Sequence, residues 1–273
     1  MPPPIDRAHR ALPRTLPEIR HLYGPRVHIV STPYAMTLLA RLCSPEVGQP
    51  VLNELVRRLY EDLLAHVVSA EFPLCPLNQP TRMAALHAAE ARLLGDAVDP
   101  AARVVCVNIA RAGTLPSQVC YETLNFLMDP SQVRQDHVFM ERKTDARGRV
   151  IGVNFSGSKI GGSLEGAIVL IPDPMGATGS SMLATIRELT RKHRPAKIVA
   201  MHLIVTPEAI RAVKASRLPI EIYAVRLDRG LSAPEVLKSI PGSKAARERG
   251  LNARHYIVPG AGGVGELLNN AEK

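Results

Sequence analysis

"AIVLIPDPMGATGSSMLATIREL" runs from Ala167 to Leu189. Its opening apolar run, 167–173, is too short for a helix and reads as a strand buried on both faces of a parallel sheet. Asp173 closes the run, and a loop of small and hydroxyl residues follows: Gly176, Ala177, Thr178, Gly179, Ser180 and Ser181. A helix begins at once over 180–193, with Arg191, Lys192 and His193 in its last turn, where the helix dipole favours cations. Backbone N–H groups at such a helix start converge on one point and suit a phosphate, helped by the positive end of the dipole. The hydroxyls of Thr178, Ser180 and Ser181 add donors. The loop lacks G-K-[ST], so it is not a Walker P-loop.

Working outward, the same grammar repeats. Strands are predicted at 27–33, 102–110, 196–206 and 220–227, and helices at 51–68, 81–95, 115–128 and 207–216. Strand–helix–strand alternation gives an α/β fold, a central and mostly parallel sheet flanked by helices. Residues 1–26, rich in proline and arginine, read either as an extended arm packed on a domain or partner subunit, or as disorder; residues 27–273 form the domain.

The chain has 273 residues, 46% hydrophobic but only 4% aromatic and without Trp, so its core is aliphatic. A net charge of +9 suits polyanionic partners, but the arginines are scattered, which argues against a nucleic-acid-binding stripe. The four cysteines are far apart and no two histidines have helical metal-site spacing, so neither a zinc site nor a disulfide framework is expected. No apolar run reaches the roughly 20 residues of a membrane span. The first residues do not resemble a signal peptide, and a cytoplasmic location is expected.

Near the end, Gly260–Gly265 spells G-x-G-x-x-G. A dinucleotide fingerprint needs a following helix, a return strand and an acid about 20 residues on. Only eight residues follow Gly265, so that reading fails for lack of room. The glycines instead suit a backbone that must approach another group closely.

Three segments together resemble the uracil phosphoribosyltransferases, in the type I phosphoribosyltransferase family. They are "DPMGATGSS" (173–181), "NIARAGTL" (108–115) and "GLNARHYIVPGAGGVGE" (250–266), in the family's chain order. The resemblance covers most of 27–273. It implies transfer of a phosphoribosyl group from phosphoribosyl pyrophosphate (PRPP) to uracil or a related heterocycle, giving a nucleoside 5′-monophosphate such as UMP, in pyrimidine salvage. It implies that Asp173 and Arg111 are catalytic. PRPP would be held by Arg111, Ala112, Gly113, Arg142, Asp173, Pro174, Met175, Gly176, Ala177, Thr178, Gly179, Ser180 and Ser181. A hood formed by Tyr256, Ile257, Val258, Gly260, Gly262 and Gly263 would read the base, largely through main-chain groups. Mg²⁺ would arrive on PRPP rather than in a protein cage. The expected partners are PRPP, a base and further copies of the chain in a homo-oligomer, with neither membrane nor nucleic acid among them.

The departures fall mainly on the base side. Gly263 stands where the family has an Asp, with Glu266 the nearest acid; Cys43 stands where it has an Arg; and residues 230–249 are additional. The segment 141–166 keeps the family Arg as Arg142 but otherwise diverges. Other functions on this fold are transfer to a different heterocycle, PRPP binding without turnover, and an RNA-binding or nucleotide-sensing regulator.

Overall fold

The computed structural model describes residues 8–144 and 150–271, with the side chains of 141–154 outside that description. The first half contains β1 (Val27–Ile29), α1 (Pro33–Leu42), α2 (Val51–Glu71), β2 (Leu74–Pro80), β3 (Arg92–Val98), β4 (Val104–Ala110), α3 (Thr114–Leu127) and β5 (Val133–Thr144). The second contains β6 (Val150–Lys159), β7 (Ile168–Pro172), β8 (Met175–Gly176), α4 (Ser180–Lys192), β9 (Lys197–Val205), α5 (Pro207–Ser216), β10 (Ile220–Leu227), α6 (Pro234–Leu237) and α7 (Val264–Leu267).

The main sheet has the order β1-β10-β9-β7-β4-β5-β6, with the two-residue β8 paired to β9. Every neighbouring pair is parallel except β5–β6. Alternate residues of each strand face opposite cores. One core holds Cys106, Leu170, Val199 and Tyr223 under α1, α2 and α3; the other holds Val107, Val169, Ala200 and Ile222 under α4 and α5. Leu59 and Leu63 of α2 are fully buried, worth about 1.5–3 kcal/mol each.

This arrangement positions the site. From the β4/β7 junction one crossover, β4–α3–β5, runs outward, and the other, β7–α4–β9, runs the opposite way. Right-handed crossovers in opposite directions put α3 and α4 on opposite faces, so a crevice opens at the carboxyl ends of β4 and β7.

Two expectations are corrected. The helix expected at 81–95 is absent. Instead β2 and β3 form an antiparallel hairpin, and only Arg82–Ala85 makes a single 3₁₀ turn. The apolar residues that suggested a helix have no core to face: Met83 is 50% exposed, Leu86 76% and Leu93 56%. Residues 92–95 join the β-ladder and 81–91 form the hairpin tip, closed by the Thr81 N–H donating to the Ala91 carbonyl, so pairing overrides helix propensity. The second correction is that the strand expected at 27–33 ends at Ile29. Thr32 caps the next helix by accepting from the Ala35 N–H, and Pro33 takes its first position, so a helix begins where the strand was expected to stop.

The described part of the N-terminal segment packs on the domain. The Ile19 N–H donates to the Ile29 carbonyl, and Arg14 donates to the carbonyls of Ala70 and Phe72. Tyr23 is 2% exposed and its hydroxyl donates to Glu248, itself buried and paired with Arg229 at 3.1 Å. Tyr23→Phe removes a donor from a buried carboxylate and should cost about 1–3 kcal/mol. Urea unfolding checks this, with the midpoint falling at unchanged slope.

Candidate active site at the carboxyl edge of the sheet

Three loops meet at the β4/β7 crevice. The first follows β4 and carries Arg111, Ala112 and Gly113, entered through a cis Ala110–Arg111 peptide. Arg111 is exposed and Gly113 is buried. A Cβ at Gly113 would stand 2.9 Å from the carbonyl oxygens of both Ile109 and Pro172. Only glycine lets this turn sit between the ends of β4 and β7.

The second loop leaves β7 at Asp173, which is half-buried. The Asp173 N–H donates to the Met201 carbonyl, and its Oδ1 accepts from the Met175 N–H at 3.3 Å. Pro174 and Gly176 are buried, and their carbonyls accept from β9 and from Thr206. The Ala177 carbonyl accepts from the Thr206 hydroxyl at 2.5 Å. Gly179 is the N-cap of α4 in left-handed conformation (φ 75°), and α4 has no side-chain cap. Thr178 Oγ1 accepts from the Ser180 N–H and lies 2.9 Å from Ser180 Oγ. The helix start therefore presents backbone donors flanked by the hydroxyls of Thr178, Ser180 and Ser181, a cradle suited to a phosphate.

The third loop is the glycine-rich C-terminal segment, which spans the edge of the sheet. At one end a Cβ on Gly250 would lie 2.3 Å from the Asp228 carbonyl and 3.1 Å from Thr206 Cβ, against the ends of β10 and β9. At the other, a Cβ on Gly265 would lie 3.3 Å from Ala112 Cβ, against the loop after β4. Between them Tyr256 is 40% exposed, Ile257 is buried and Gly262 is open to solvent. Both main-chain groups of Val258 are engaged inside the chain, its N–H with the Gly250 carbonyl and its carbonyl with the Gly230 N–H.

The structure thus brings Arg111–Gly113, Asp173–Ser181 and the 256–265 loop to one crevice. Arg142 stands apart in description: its backbone pairs with Val153 between β5 and β6, and its side chain lies outside the described residues.

Several site neighbours escaped the sequence reading. His202 of β9 is buried, with Nδ1 2.6 Å from the Asp173 carbonyl; burial lowers its pKa, against an opposing pull from Asp173. Tyr60 of α2 is fully buried and donates to the Met201 carbonyl that also receives the Asp173 N–H. Asp228 accepts from the Gly260 N–H at 2.7 Å and pairs with Arg226 through its other oxygen. Cys43 lines a small cavity of about 120 Å³ with Arg226, Asp228 and Gly260. Burial, then the Asp228 charge, pushes its thiol up to about 11, so it stays protonated at neutral pH. The guanidinium in this corner is Arg226 of β10, not a residue of α1. Glu266, the acid nearest Gly263 in sequence, has its Oε2 2.8 Å from where a Cβ on Gly263 would be. His202 had a visible signal, a polar residue inside an apolar strand; Asp228 had one too, at a strand's carboxyl end.

The uracil phosphoribosyltransferase family profile matches residues 29–246, which leaves the glycine-rich loop beyond its end. A uracil phosphoribosyltransferase of Aquifex aeolicus (strain VF5) is 33% identical over 105 residues, 38% of this chain and 40% of that protein. The match therefore spans well under half of that curated relative. The solved structure of the AQ2163 protein from Aquifex aeolicus aligns with a TM-score of 0.67 at 20% identity, over 89% of this chain and 97% of that one, a likeness of fold. Among the described residues no helix is long and apolar enough to cross a membrane.

Proposed function

The chain belongs to the uracil phosphoribosyltransferase family, and on that premise we propose that it transfers a phosphoribosyl group from PRPP to uracil or a closely related ring. The bond from ribose C1 to the pyrophosphate oxygen breaks as a bond from C1 to a ring nitrogen forms, and that nitrogen gives up its proton. With uracil the products are UMP and pyrophosphate, a salvage reaction of the cytoplasm, carried out by a homo-oligomer. Residues 27–273 are the transferase unit and 1–26 its arm. The family match favours transfer over a regulatory use of the fold.

The observation that supports this reading is the meeting of three loops at the switch point between β4 and β7, where α/β sheets hold ligands. Thr178–Ser181 would bind the 5′-phosphate at the start of α4. Asp173 would bond the ribose hydroxyls and stabilise positive charge as it develops on the ring, as in glycosyl transfer generally. Arg111, with Arg142, would draw charge from the leaving pyrophosphate. Mg²⁺ would arrive on PRPP, with Asp173 the crevice carboxylate that would help hold it, and would neutralise charge on the leaving pyrophosphate. The 256–265 loop would close over the flat base and hold it in line.

The base side is where this chain departs from the family. Gly263 leaves room that Glu266 fills, so an Asp at 263 would meet a carboxylate already present. Restoring it alone should therefore gain little, whereas Gly263→Asp combined with Glu266→Ala should raise the rate with uracil. The test is calorimetric titration with PRPP and Mg²⁺, followed by initial rates of UMP formation at saturating PRPP for wild type, single and double variants. Absence of PRPP binding at millimolar concentration would sink the assignment. Efficient wild-type turnover that falls in the double variant would show Glu266 to be the better acid for uracil.

A further inference from the structure

At the edge of the sheet opposite the crevice, the fold assembles a cluster that the transfer reaction does not use. His28 of β1, Glu71 at the last position of α2 and Glu221 of β10 each offer a ligand atom, all within 4.8 Å of one another. We propose that His28, Glu71 and Glu221 form a divalent-cation site that fastens β1 and the N-terminal segment to the end of α2.

The geometry of His28 carries the argument. Its Nδ1 lies 2.8 Å from Glu18 Oε1. A carboxylate only accepts, so Nδ1 is the donor, and in the neutral ring that tautomer leaves Nε2 as the ligand atom. Nε2 is the atom turned toward the cluster, 3.9 Å from Glu221 Oε2. A histidine whose second nitrogen donates to a carboxylate is the usual arrangement of a metal-ligating imidazole, because it sets the tautomer and fixes the ring. The ring is also held by stacking on Tyr223, its register partner in β10, at 4.5 Å.

The surroundings favour a cation. The site lies at the carboxyl end of the 21-residue α2, whose dipole is negative there, and α2 has no basic residue in its last turn. Cationic side chains from elsewhere gather at this end instead: Arg14 on the carbonyls of Ala70 and Phe72, and Lys197 on Glu71. Two carboxylates lie close together, Glu71 paired with Lys197 and Glu221 paired with Arg26 at 3.6 Å. One imidazole with two carboxylates suits a borderline divalent ion such as zinc, at about 2.0–2.2 Å from each ligand. Modest closure of the three side chains would reach it. Lys197, 34% exposed, and Arg26, 57% exposed, would swing out to solvent.

The experiment uses untagged full-length protein, stripped with a chelator and free of PRPP, titrated with zinc chloride by calorimetry and by thermal scan. The expected result is one saturable site that raises Tm, weakened at least tenfold by His28→Gln and by Glu221→Gln. Lys197→Met should tighten it, because the competing cation is gone; a merely structural ion-pair network would not show that gain. No saturable binding overturns the proposal. So does binding unchanged in both ligand variants, which would place the ion on other histidines or cysteines, and so does weaker binding in Lys197→Met. PRPP titration of each variant reports folding separately and keeps this result independent of the transferase reading.

Discussion

Asp173→Asn should lower kcat by about 10²–10³ while changing PRPP affinity by less than tenfold. The substitution keeps the shape of the side chain and its Oδ1. The Met175 N–H therefore keeps its acceptor, and the backbone bond from Asp173 to Met201 is untouched. What disappears is the negative charge, and that charge matters most when the ribose ring becomes cationic. Steady-state rates at saturating base, with calorimetric PRPP affinity and Tm measured on the same preparation, separate the two effects. Retained activity would remove Asp173 from the chemistry; a fall in affinity matching the fall in rate would make it a ground-state binding group.

Gly113→Ala should damage both the fold and the site. The new Cβ would meet two backbone carbonyl oxygens at 2.9 Å, those of Ile109 and Pro172. Neither can rotate away as a side chain could, so β4, β7 or the loop must move. Overpacking of this kind costs about 1–3 kcal/mol. The displaced loop also carries Arg111 and touches the C-terminal loop through Ala112 and Gly265. PRPP affinity should fall at least tenfold, read by calorimetry, with a lower Tm read alongside. A variant of wild-type stability and affinity would show that the β4 loop does not depend on this close approach.

Much of the candidate site was readable along the chain because its parts are local. A βα turn is written in consecutive residues: an apolar run, an acid, a few small residues and a helix start. That is why 104–110, 168–172 and the helices after them lie close to where periodicity put them. The segment 81–95 misled because periodicity shows which residues could share a face, not whether a core awaits them. There the outcome depended on pairing with β2.

By itself the sequence determined the α/β class and the order of the three segments that meet at the crevice, since each rests on neighbours in the chain. Only the tertiary structure decided that Asp228 anchors Gly260, that Glu266 fills the space at Gly263, that His202 lies behind Asp173, and that His28, Glu71 and Glu221 come together. All but one of these contacts join residues that no local pattern relates, and sheet register or helix docking sets the distance between them. The exception, Glu266 over Gly263, is close in sequence, but only the turn into α7 folds the carboxylate back across the loop.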